Sequence, residues 1–319
     1  MVALTFIVPT TSCKRYWVCE EPDASRVSRL PQRLSETGLY SDIASARLAG
    51  GVVGYRPQFE LWSDGAEKRR WIALPPGRKI DTSDVDDWDF PDGTKLWKEF
   101  SIDGKRIETR LLFKNGPRDD DWIGVSYVWN DEQSDAVAAP WGVVDARGGH
   151  DVPGAGECFA CHGGRKGRVL GFSAVQLSAP AVPGEIALAE LVAQDRLSHP
   201  ASSPLVVPGN DVERAALGYL HANCSHCHNQ TRPPHDGARC FDPKTSYDFT
   251  LSASALGAVA STPTYRTAFD GAVKRGDPDG SKLIDRVSTR GFLKQMPPLA
   301  TERVDEAAVT LLRRWVEQL

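Results

Sequence analysis

Methionine is almost absent: the 319-residue chain has Met1 and Met296 and no other. Long apolar runs are missing as well. No stretch of about 18 apolar residues occurs, so a membrane-spanning helix is not expected. There is no excess of positive charge either, with 38 Lys and Arg against 42 Asp and Glu and a net charge of −4. Binding to nucleic acid through phosphate neutralisation is therefore not expected. The N-terminus lacks the basic lead of a secretory signal, since Val2, Leu4, Phe6, Ile7 and Val8 have no Lys or Arg before them. It reads as a remnant or a misplaced start. Cys13 after Thr10-Thr11-Ser12 is a poor lipoprotein box, and a lipid anchor there is the minor reading. What remains is an ordinary globular composition, 41% hydrophobic and 25% charged, at a length that favours two domains.

The cysteines carry the chemistry. Four of the seven fall into two copies of one pattern, Cys158-Phe159-Ala160-Cys161-His162 and Cys224-Ser225-His226-Cys227-His228. Each is C-x-x-C-H, the pattern for covalent attachment of a c-type haem. Two thiols add across the two vinyl groups of one haem, and the adjacent imidazole is thereby placed on the iron. The expectation is two haems, c-type: Cys158 and Cys161 with axial His162 for haem 1, Cys224 and Cys227 with axial His228 for haem 2. The alternatives are redox thiols, which need no following His, and a zinc site built from both pairs. Zinc gives no reason for a His after each pair. Cys13, Cys19 and Cys240 are left over; Cys13 and Cys19 could pair, and Cys240 could be a free buried thiol.

Residues 1–50 read as a tail and a short helical lead-in carrying Leu30, Leu34, Leu39 and Ile43. Residues 51–178 change to period two between Gly, Pro and Asp turns, and hold Trp62, Trp71, Trp88, Trp97, Trp122, Trp129 and Trp141. An antiparallel β domain ending in the first motif is expected. Asp103-Gly104 is a type I′ turn signal, and a two-residue loop would pair Phe100 with Ile107, Lys98 with Thr109 and Leu96 with Leu111 on one face. Glu99, Trp97, Glu108 and Arg110 would lie on the other. Ile123 to Trp129 is a further strand. The acidic stretch Asp81 to Asp92 lacks calcium-loop spacing and reads as a solvated loop. Residues 179–207 are rich in Pro, Ser and Ala around one helix, 185–194, and read as the interdomain connection. Residues 208–319 hold two amphipathic helices, Asp211 to Asn223 and Val304 to Leu319, with Gln295-Met296-Pro297-Pro298 between them.

This last segment resembles a class I cytochrome c domain, in which a helix precedes C-x-x-C-H, a loop carries the axial methionine and a final helix packs across the first. The resemblance implies that His228 and Met296 are the axial ligands of haem 2 and that the Pro233 and Pro234 carbonyls are candidates to orient His228. The whole chain resembles proteobacterial dihaem cytochromes c through Phe59-Glu60-Leu61-Trp62-Ser63-Asp64-Gly65, Phe90-Pro91-Asp92-Gly93-Thr94-Lys95 and Leu170-Gly171-Phe172-Ser173; that likeness implies no activity. The β region with its motif resembles, more weakly, the sheet-based cytochromes c′-beta, whose hydroxylamine-oxidising relatives carry a lysine–haem cross-link. Lys98 is the residue this singles out, although a Lys98 that snorkels to the sheet edge is the plainer reading. Bacterial dihaem peroxidases also carry two such motifs at similar length, but here the first follows a long β region. The expected fold class is α+β, an N-terminal antiparallel β-rich domain carrying haem 1 and a C-terminal all-α cytochrome c-like domain carrying haem 2.

Only one methionine can ligate an iron. If Met296 serves haem 2, the sixth position of haem 1 falls to His, Lys, Tyr, water or nothing, and His150 and Lys98 are the named candidates. His226, inside its motif, is expected to face solvent; His221, one turn before Cys224, could reach the other domain. Met ligation raises a haem's potential and two nitrogens or an open site lower it, so the haems should be inequivalent. The expectation is a periplasmic electron-transfer protein serving a redox partner protein. The alternative is a haem enzyme, peroxidase-like or oxidising a small nitrogen compound, with a small-molecule substrate at haem 1 and haem 2 as the relay. Periplasmic location follows from where bacterial c-type attachment takes place.

Overall fold

A computed structural model describes residues 24–200, 203–232, 246–291, 294–299 and 301–319. It contains both helices and sheets, in keeping with a mixed α+β chain. Helix α1 (Ala24–Val27) and a 3-10 turn, Leu34–Glu36, lead to a hairpin of β1 (Tyr40–Asp42) and β2 (Arg47–Leu48). The expected helical lead-in is helical only in these short turns, and its second half is a hairpin. Its turn is set by Asp42, whose carboxylate accepts from the Ala44 N–H and the Ser45 hydroxyl, and by Ala46 at φ 53°.

The main sheet has seven strands in the order β11-β3-β4-β5-β6-β7-β8. These are β3 (Val52–Tyr55), β4 (Glu67–Ala73), β5 (Lys95–Ile102), β6 (Lys105–Lys114), β7 (Trp122–Trp129), β8 (Ala136–Ala138) and β11 (Glu185–Ile186). A separate ribbon pairs β9 (Val143–Arg147) with β10 (His150–Val152). One face of the sheet buries Trp71, Trp97, Leu111, Val125 and Tyr127 under Leu30, Leu34 and Leu39. The other packs Ile72, Leu96 and Leu112 against Trp88, Phe90 and Phe172.

The β5–β6 hairpin departs from the expected register. Asp103 and Gly104 both take positive φ, 50° and 73°, and Ile102 faces Lys105, as a two-residue type I′ loop requires. A bulge then intervenes beyond Ser101, and Phe100 pairs with Glu108, Lys98 with Arg110 and Leu96 with Leu112. None of the expected pairs, Phe100–Ile107, Lys98–Thr109 and Leu96–Leu111, forms. The extra residue, Ile107, lies in β6, so β6 turns over and β5 does not. Glu108 and Arg110 thereby join Lys98 on one face, leaving Trp97 and Glu99 on the other.

The Pro/Ser/Ala-rich segment is part of the β half. Strand β11 pairs in parallel with β3, Glu185 facing Gly54, and α3 (Leu188–Ala193) buries Leu188 and Leu191 in the sheet core. The helix expected over 185–194 starts only at Leu188, where the Glu190 carboxylate accepts the Ala187 N–H at 3.0 Å.

Helix α2 (Ala155–His162) lies on β7 and carries the first motif. The C-terminal half contains α4 (Asp211–Asn223), α5 (Pro263–Thr267), α6 (Lys282–Ser288) and α7 (Glu306–Glu317). A capping box starts α4: Asn210 Oδ1 accepts from the Val212 and Glu213 N–H groups, and Glu213 accepts from the Asn210 N–H. Helix α4 packs on α7 through Ala216 and Leu220 against Leu312, Trp315 and Val316.

The run Phe59–Gly65 clasps the two halves. A Cβ at Gly218 of α4 would stand 2.1 Å from the Phe59 ring, so glycine is needed there. The Trp62 N–H donates to Asn223 Oδ1 at 2.7 Å, and Asp64 Oδ1 accepts the Arg303 N–H at 2.7 Å. Among the described residues no helix is long and apolar enough to cross a membrane.

Candidate functional site

Between the sheet, α2 and the C-terminal half lies a cavity of about 210 Å3. Leu96, Lys98, Arg110 and Leu112 form its sheet wall, and Cys158, Cys161 and His162 all line it. Helix α2 reaches this wall because β7 has Gly124 beneath it; a Cβ there would sit 2.9 Å from Cys158 Cβ. Pro297, Pro298 and Leu299 contribute from the C-terminal loop, together with His226 and Cys227 of the second motif.

His162 is oriented from behind. Its Nδ1 donates to the Arg168 carbonyl at 2.6 Å, which leaves Nε2 as the nitrogen free to bind a metal. Burial, with the Lys98 and Arg110 cations nearby, lowers its pKa to about 4, so the imidazole is neutral at pH 7. The Arg168 carbonyl is fixed by the loop before it, where Asp87 accepts the N–H groups of Lys166 at 3.0 Å and Gly167 at 2.9 Å. Gly167 is pressed on the Trp88 carbonyl, with no room for a Cβ. Asp87 is the positioning residue that sequence reasoning missed. It belongs to a stretch expected to be solvated, yet Asp86 also binds the Ala253 N–H and the Ser252 hydroxyl, and Asp89 pairs with buried Lys114.

Asp87→Ala should release the Lys166–Arg168 loop and with it His162. If His162 ligates a metal through Nε2, the expected loss is about 10–100-fold in the strength of that coordination, the usual effect of removing an outer partner of a ligating histidine. Exogenous imidazole competing at that position, followed by absorption, checks it.

The second motif sits differently. Cys227 is buried and His226 is 5% exposed, so the expectation that His226 faces solvent is overturned: it is trapped where the motifs meet. Cys224 and His228 lie outside the cavity; His228 is 5.6 Å from the Phe249 ring and 6.4 Å from that of Tyr247. The two motifs touch. Cys227 Sγ is 4.0 Å from the Ala160 carbonyl oxygen, and Asn229 Nδ2 donates to the Gly164 carbonyl at 3.1 Å. A Cβ at Gly164 would lie 1.6 Å from the His226 carbonyl oxygen, so the contact exists only with glycine. His221 does meet the β half, lining a small pocket with Asp86, Trp88 and Phe172. Its Nδ1 accepts the Leu251 N–H at 3.1 Å.

His150 and Lys98 part company. His150 is buried, but it is not among the cavity-lining residues, and its Nε2 is held by Glu108 Oε1 at 2.7 Å. Its Nδ1 has no partner among the described residues. Glu108 is fully buried and also takes Arg110 Nε at 2.9 Å. Lys98 lines the cavity. Burial and the cations Arg70, Arg110 and Lys68 hold its pKa well below that of an ordinary lysine. Met296 is half-buried in the loop after α6, its N–H donating to the Arg286 carbonyl at 3.0 Å; it is not a lining residue, whereas the next three are. Cys13, Cys19, Cys240, Pro233 and Pro234 lie outside the described residues.

Cys158, Cys161, Cys224 and Cys227 are free. Burial raises all four thiol pKa values, Cys158 and Cys224 to about 12, the opposite of the depressed values that reactive thiols need. Among the described residues no three His, Cys, Asp or Glu side chains converge to hold a metal ion by themselves, so the two Cys pairs do not meet as a zinc site. No family profile, curated protein or solved structure matches the chain.

Proposed function

We propose that the chain is a periplasmic dihaem c-type cytochrome that passes electrons between two inequivalent haems. At the first motif the residues present fit such a group. Two adjacent free thiols, an imidazole whose Nε2 is left open and an apolar wall of Leu96 and Leu112 share one cavity. In this reading Cys158 and Cys161 tether haem 1 with His162 as its axial ligand, and Cys224 and Cys227 tether haem 2 with His228 and Met296. The haems supply one-electron redox chemistry. The protein holds them, orients His162 through Arg168 and shields the wall from water.

The observation that carries the relay is the contact between the motifs through Gly164. A segment that tethers one redox centre rests directly on the segment that tethers the other, so electrons need cross only a short gap. Gly164→Ala must push the segments apart. It should slow electron transfer between the haems after one is rapidly photoreduced, and lower stability by about 1–3 kcal/mol, as overpacking does. Transfer at the wild-type rate in a folded variant would remove the contact from the relay.

The cavity favours a second reading, an enzyme with a small-molecule substrate at haem 1. His150, fixed to Glu108 and set back from the cavity, is the poorer sixth ligand; Lys98 is the better placed. A high-spin ferric signal that responds to cyanide would support the enzyme, and two low-spin haems the relay.

A further inference from the structure

The face of the sheet that walls the cavity carries a row of basic side chains, of which Lys98 and Arg110 line the cavity. Arg70, Lys98 and Arg110 face one another directly across β4, β5 and β6, and Lys68 stands on the same face of β4. Like charges in opposite register repel, so such a row needs counter-charge. Arg70, whose side chain is 4% exposed, has Glu60 at 3.5 Å. Arg110 is clamped through Nε and Nη2 by Glu108, and its Nη1 makes no hydrogen bond among the described residues. Lys68 donates to the Ala66 carbonyl at 2.9 Å. Lys98 has no carboxylate and no hydrogen-bond acceptor among the described residues; its Nζ lies 5.1 Å from the centre of the Phe100 ring.

The carboxylates that line the cavity do not fill the deficit. Glu157 accepts the Gly154 N–H at 2.7 Å and Asp151 accepts the Asp145 N–H at 2.7 Å, and among the described residues neither pairs with Lys98 or Arg110. The wall thus presents a fixed guanidinium beside a lysine amine that has no acidic partner among the described residues, both open to the cavity. A guanidinium held rigidly by a buried carboxylate, with donors to spare, is pre-organised to receive a second oxyanion.

We propose that Lys98 and Arg110, backed by Arg70, form an oxyanion-binding site in the wall of the cavity. Its occupant is a carboxylate or a small inorganic oxyanion. The source is either a propionate of haem 1, in which case the proposal rests on the haem reading above, or a free anion entering the cavity, in which case it does not.

The test compares the mature wild-type protein with Lys98→Gln and with Lys98→Arg, which keeps the charge. Calorimetric titration with inorganic phosphate is one arm. Binding to wild type that weakens at least tenfold in Lys98→Gln and survives in Lys98→Arg supports the site with a free oxyanion. The pH dependence of each haem's potential is the other arm. With no phosphate binding, an upward shift of half a pH unit or more in the midpoint of one haem, seen in Lys98→Gln and absent in Lys98→Arg, supports a propionate occupant. No phosphate binding together with unchanged pH profiles overturns the proposal. So does loss of a low-spin signal in Lys98→Gln, which would make the amine an iron ligand. Haem content of the same samples is read separately: phosphate binding by a chain without haem keeps the oxyanion site and discards the haem reading.

Discussion

If the chain is the dihaem cytochrome proposed above, Met296→Ala is expected to lower the potential of one haem and leave the other in place. Thioether ligation raises a haem's potential relative to nitrogen or an open position, and the chain has no second internal methionine to substitute. The expected fall is on the order of 0.1 V, a fraction of the ~0.8 V over which axial ligands move haem potentials. The long-wavelength sulfur-to-iron band should vanish in the same variant. Met296→His should also lose the band while keeping a low-spin iron. A redox titration followed optically checks both. Equal shifts in the two haems, or none, would mean that Met296 is not a ligand.

Glu108→Ala is expected to destabilise the fold by about 3–5 kcal/mol, because it strands the Arg110 guanidinium in the wall and removes the partner of the buried His150 ring. The cost should appear as a lower urea midpoint with an unchanged slope. Glu108 also sets an acid limb. Burial acts to raise its pKa, but Arg110 and His150 outweigh it and bring the carboxyl down to about 2 from the ordinary 4.5. A group whose folded pKa is depressed contributes stability in full above its unfolded value. That stability drains away as pH falls from about 4.5 toward 2. Glu108→Ala should lack this part of the acid limb. Parallel pH–stability curves for variant and wild type would show that the carboxylate makes no net contribution.

Local patterns were legible in the sequence where one physical signal dominated. Alternation in Ile123–Trp129 gave β7, the apolar stripes gave α4 and α7, and Asp103-Gly104 gave its turn. The hairpin register was not, because a single bulged residue beyond the turn leaves no mark in period two yet moves Glu108 and Arg110 to the cavity face. The segment around Glu185 is compositionally a linker, and only the free edge of β3 makes it a strand. Likewise Asp86 and Asp87 look solvated until the chain returns to bring Ala253, Lys166 and Gly167 to them. The two C-x-x-C-H motifs stand out by spacing alone. Their contact does not, since it depends on Gly164 lying against His226 and on the clasp of Phe59 against Gly218.

The most direct test of covalent attachment at both motifs is the intact mass of the exported, purified chain after expression with a c-type maturation system. Two added haem masses should be found, with one lost when Cys158 and Cys161 are both replaced by Ser and one lost when Cys224 and Cys227 are both replaced by Ser. The same chain kept in the cytoplasm should carry none. An unmodified mass after export, with four free thiols or bound zinc, would contradict the account.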